Sequence, residues 1–146
     1  MQKLMDDWKE ALASLFKNLE EQRREDTAAI ERNRREAYQF FSSTVLPAFA
    51  ELRAEIERYA RIVKVESSPE GASVSVHKDG VREIQYDIKA RVSPRKIDVL
   101  TIVDGKEGVL KGSEDRSSIA QISKEEIIED FLEQYEPRVW RLWSLR

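Results

Sequence analysis

The first 65 residues contain no glycine and one proline, Pro47, and are dense in Ala, Leu, Glu and Arg. A stretch so rich in helix formers has few options other than helix. Continuous to Val63, it would run about 95 Å at 1.5 Å per residue, more than the width of a domain of this size. Part of it must then stand outside any core, and the apolar pattern indicates which part. Met5, Trp8, Leu12, Leu15 and Leu19 recur at alternating spacings of three and four, a heptad-like stripe that Phe16 widens. A second stripe passes through Tyr38, Phe41, Val45, Phe49, Leu52, Ile56, Tyr59 and Val63. Between the two, residues 20–36 hold 11 charged side chains in 17, with Ile30 the one large aliphatic. That segment cannot bury a face. The expected division is an N-terminal helical arm over 1–36 and an α+β domain over 37–146.

Pro47 leaves two possibilities open. A helix could start afresh near Thr44, with a hydroxyl cap and Pro in the first turn. Alternatively one kinked helix passes through, with the carbonyl freed at Ser43 satisfied locally.

Beyond residue 66 the pattern changes period. All five glycines fall between residues 67 and 122. Ala72, Val74 and Val76 alternate with polar residues, and so do Ile84, Tyr86, Ile88 and Ala90, which predicts a half-buried hairpin. A two-residue turn at Asp79-Gly80 would set Val76 against Glu83 and mix the faces. A three-residue loop, Lys78-Asp79-Gly80, pairs Val74 with Ile84 and Ala72 with Tyr86, and is the expected register. The run Val99–Val103 alternates weakly and suggests a central strand covered on both sides. A short strand from Val109 and an edge strand over 119–122 complete a meander of four or five antiparallel strands. Ser123 with Glu126 forms a capping box that opens a helix whose apolar face is Ile127, Ile128, Phe131, Leu132 and Tyr135, with Pro137 as its expected end. The fold class is therefore α+β: a long, interrupted helical region, an antiparallel sheet and a C-terminal helix. The helix expected over 47–63 and the C-terminal helix cover one sheet face.

The composition removes whole classes of chemistry. Without cysteine there is no disulfide framework, thiolate nucleophile or zinc–thiolate site. The single histidine, His77, falls on the polar side of a strand beside a turn and reads as a solvated side chain. No phosphate loop, dinucleotide fingerprint or nucleophile elbow is present. Glu126, Glu129, Asp130 and Glu133 share one side of the last helix and read as its solvated face. No enzyme activity, metal or cofactor is expected.

The 53 charged residues nearly cancel, for a net charge of −3, so bulk attraction to a polyanion is not expected. Arg23, Arg24, Arg32, Arg34 and Arg35 are interleaved with acids. Nucleic-acid binding by residues 23–35 is thus the alternative function, one that the balanced charge disfavours. No signal-peptide pattern or membrane span is visible, and a cytoplasmic protein is expected.

The apolar residues at the two ends are the better lead. Trp8, Leu12, Leu15 and Leu19 on the arm, with Trp140 and Trp143 near the C-terminus, are the candidate interaction residues. The expected partner is a second copy of the chain, in a homodimer or higher oligomer, with another protein as a further possibility. The expected function is that of a small self-associating interaction or scaffold protein. Trp140 and Trp143 are expected to pack rather than stay wet.

Overall fold

A computed structural model describes residues 2–110 and 119–144, with side chains described from Asp6. The elements are α1 (Gln2–Phe40), a π-helical turn (Phe41–Val45), α2 (Leu46–Ile56), five strands and α3 (Lys124–Trp143). The strands are β1 (Ile62–Ser68), β2 (Gly71–Lys78), β3 (Val81–Val92), β4 (Ile97–Val103) and β5 (Lys106–Val109). They lie in chain order in one antiparallel sheet. This is the α+β architecture that the pattern implies.

The interruption at Pro47 is a change of hydrogen-bond pattern within one helix. Phe40, Val45 and Leu46 all keep right-handed helical angles, and the Leu46 N–H donates to Phe41 O, five residues back. The wider turn accommodates a proline that cannot donate. Ser42 and Ser43 both donate their hydroxyls to Gln39 O. Of the two possibilities left open, the chain takes the single continuous helix.

That helix stops earlier than Val63. Ala60 turns left-handed, with φ 59°, and Ile62 begins β1. The alternation of Ile62, Val63, Lys64 and Val65 is a strand that the helical reading of the region overran.

One sheet face is buried and the other open. Val63, Val74, Val76, Ile84, Tyr86 and Val103 point into the core, where α2 and α3 cover them. The outer face carries Ser73, Gln85, Asp87 and Lys89. β4 follows the same rule. Val99, Thr101 and Val103 are buried, while Leu100 and Ile102 are half-exposed, so the strand is covered on one side only. Residues 119–121 form a short 3-10 turn rather than an edge strand.

The β2–β3 register corrects the expected one. Val74 pairs with Tyr86, Val76 with Ile84 and Lys78 with Val81, so the turn is the two residues Asp79 and Gly80. Both have positive φ, 51° and 78°, the left-handed pair that a tight hairpin needs. The face conflict that argued against this turn is absorbed by a bulge. Between the pairs His77–Arg82 and Val76–Ile84, one residue of β3 is left over, and it is Glu83.

At Gly71 the constraint is space. A Cβ there would stand 2.9 Å from Ile88 O. Gly71→Ala is expected to cost about 1–3 kcal/mol through this backbone clash, read as a lower urea midpoint with an unchanged m-value.

Candidate functional site

The arm is the part of α1 that the domain does not reach. Ala37 is the first fully buried residue along it, and Asn33 is the first tied to the sheet, donating Nδ2–H to Ser93 O at 2.8 Å. From Asn33 back to Asp6 the helix projects about 40 Å. Trp8, Leu12, Leu15 and Leu19 lie on this projection at 55, 42, 49 and 56 % exposure, with Phe16 beside them. Residues 20–36 behind them pair locally, as in Arg24–Glu20 at 3.1 Å and Gln22–Asp26 at 3.0 Å. Such i,i+4 pairs hold a solvated helix straight enough to carry the stripe outward.

A second apolar surface lies in the domain. α2 and α3 diverge over the sheet and leave a groove of about 760 Å3. Leu52 and Ile56 form one wall, Ile128, Leu132 and Val139 the other, with Tyr59 at one end. Leu132 and Tyr59 are largely exposed.

The groove ends at a buried ionic cluster built around the bulge. Glu83 sits next to the inward-pointing Ile84, and the extra residue turns its carboxylate inward too, so that its side chain is fully shielded from solvent. Arg61, just before β1, grips it bidentately, with Nε and Nη2 each donating at 3.0 Å. The Tyr135 hydroxyl donates to Oε1 at 2.7 Å and the Trp143 indole N–H to Oε2 at 2.6 Å. Burial alone would raise the Glu83 carboxyl, but hydrogen bonds from Arg61, Tyr135 and Trp143 outweigh it and hold the group below the usual carboxylate range. Arg61 has its remaining nitrogen on Tyr59 O. The cluster therefore joins β1, the β3 bulge and the end of α3, and leaves no cation free for a ligand.

The cluster also explains why Pro137 does not end α3, as the sequence suggests it should. The helix continues to Trp143. Beyond the proline it is fastened by Trp143 on Glu83, by Lys78 Nζ 5.2 Å over the Trp143 ring, and by Arg138 on Asp104. The two C-terminal tryptophans thus part company. Trp143 is packed, whereas Trp140 is 66 % exposed, against the expected packing. Leu19 stands about 27 Å along α1 from the first buried residue, so the arm tryptophan and the α3 tryptophans belong to separate surfaces.

The acidic side of α3 is not uniformly solvated either. Asp130 is buried and accepts the Tyr86 hydroxyl at 2.5 Å. Tyr86 is itself packed edge-on against Phe49 and Phe131. Among the described residues no three carboxylate or imidazole groups gather to hold a metal, and no helix is long and apolar enough to cross a membrane. His77 Nε2 lies 3.2 Å from Ser75 Oγ on the outer side of the sheet.

Burial and the adjoining Asp130 carboxylate push the Tyr86 hydroxyl far above the ordinary phenol value, and burial with Glu83 does the same for Tyr135. A raised folded-state pKa favours the folded chain at every pH below the unfolded value and loses that advantage as the pH rises. Stability is therefore expected to fall above about pH 10, by about 1.4 kcal/mol per pH unit for Tyr86 alone. Urea titrations from pH 8 to 11.5 read this slope, and Tyr86→Phe should flatten it. An unchanged slope in the variant would show that the buried hydroxyl is not its source.

Comparison with protein-family models, with curated proteins and with solved structures finds no match to the chain.

Proposed function

We propose that this protein is a small self-associating interaction protein whose contact element is the N-terminal arm. One observation carries the reading. Four large apolar side chains, Trp8, Leu12, Leu15 and Leu19, stand about half exposed on one face of a helix that leaves the domain. Full burial of each such side chain is worth roughly 1.5–3 kcal/mol, and in the single chain about half of that is unrealised. A contiguous apolar stripe outside the core marks an association surface, and its heptad spacing suits another helix or a helical groove. The charged segment behind it supports the same reading, because a solvated spacer holds the stripe clear of its own domain.

Light scattering on a size-exclusion column tests this. The intact chain is expected as an oligomer, and a chain lacking residues 1–28 as a monomer of unchanged fold. A monomeric mass for both would overturn the proposal.

A further inference from the structure

Among the described residues two apolar surfaces stand uncovered: the arm stripe and the groove between α2 and α3. Resting on the self-association reading above, we infer that each is the other's partner between two copies, with the arm of one chain seated in the α2–α3 groove of its mate.

The chemistry of the groove suits an apolar helix face. Leu52, Ile56, Leu132 and Val139 supply its walls, and Arg61, the one cation among its described lining residues, is already spent on Glu83 and on Tyr59 O. A small anionic ligand would find no free charge there, whereas a helix with Trp8, Leu12 and Leu15 in line needs none.

The occupant cannot be the chain's own arm. The arm is centred near residue 13 and the α2 wall near residue 55, and the backbone between them keeps helical angles through the π turn. The two surfaces are therefore held about 60 Å apart along one helix. A second copy removes the problem. If two such helices run antiparallel about a two-fold axis near residue 34, each arm meets the other chain's α2, and both contacts close at once. This is an isologous, self-limiting arrangement.

The facing also agrees. Leu19, Ile30 and Ala37 are separated by 11 and 7 residues, whole numbers of helical turns to a close approximation. The stripe therefore lies on the side of α1 that, further along, rests on the domain through Ala37 and Phe41. A partner arm lying beside α2 would point its stripe towards α3, into the groove.

Size favours exchange over simple pairing of arms. A two-stranded seam only four turns long falls short of the roughly 1,200 Å2 at which specific interfaces begin. Reciprocal seating makes the contact twice and buries two grooves as well.

The absence of cysteine gives a clean background for the test. Two full-length variants, Ala11→Cys beside the stripe and Ala54→Cys in the groove, are mixed and treated with a short bis-maleimide. Arm-in-groove seating predicts an 11–54 cross-linked heterodimer and little 11–11 product from the first variant alone. In parallel, Leu132→Asp, at an already exposed position, should weaken self-association at least tenfold. An 11–11 product without an 11–54 product, with Leu132→Asp associating as the parent does, would overturn the seating and leave arm-mediated association standing. An oligomeric mass with neither product would also overturn the seating. A monomeric mass with neither product would overturn both.

Discussion

Glu83→Ala is expected to lower the unfolding free energy by about 3–5 kcal/mol, the cost of breaking a buried charge pair by removing one partner. The substitution leaves three donors without their acceptor: the Arg61 guanidinium, whose side chain is only 14 % exposed, the Tyr135 hydroxyl and the Trp143 indole N–H. Glu83→Gln keeps the shape and one acceptor and should cost less, about 1–3 kcal/mol. Urea denaturation reads both. In a Trp8→Phe background tryptophan emission gives a local signal, because Trp140 is already 66 % exposed and Trp143 has packing to lose. A red shift at denaturant concentrations below global unfolding would mark release of the α3 end. A stability loss under about 1 kcal/mol for the alanine variant would mean that the cluster does not hold the end of α3. The acid side follows from the same geometry. The Glu83 pKa is depressed in the folded chain, so its stabilisation is complete above the unfolded value of about 4.3 and lost as the pH falls through the folded value.

The paired substitution Leu12→Asp with Leu15→Asp should have the largest effect on association. Each leucine carries up to roughly 2 kcal/mol of burial when the stripe is covered, and each new carboxylate must be desolvated as well. Self-association is expected to weaken by about a thousandfold or more. Domain stability should hardly change, since both positions lie well outside the core, about 30 Å or more along the helix from Ala37. Equal association of the variant and the parent would take the stripe out of the account.

The fold class, the arm stripe and the charged spacer were legible in the sequence because they are periodic. A repeat of three and four over Trp8 to Leu19, or an alternation over Ile84 to Ala90, reports local geometry directly. The groove-end cluster was not legible, because it depends on one irregularity. Glu83 is buried only because a bulge shifts the β2–β3 register, and the sequence signal for it was a misfit, an acid opposite Val76 in the turn that Asp79-Gly80 favours. Pro137 misleads in the same way. Local rules end a helix there, and a tertiary fastening at Trp143 carries it on. The helical reading overruns β1 because Val63 continues the stripe of Leu52, Ile56 and Tyr59 at spacings of four and three, and the left-handed Ala60 that separates helix from strand has no sequence mark. Trp140 and Trp143 lie three residues apart on one helix, and the position of Glu83 decides which is packed.

Whether the chain associates with itself through its arm is decided by sedimentation equilibrium of the intact chain over a wide concentration range. The mass is expected to rise to twice the 17.0 kDa of one chain and to fall back to the single-chain value in the Leu12→Asp, Leu15→Asp variant. A mass of one chain at every concentration would contradict it.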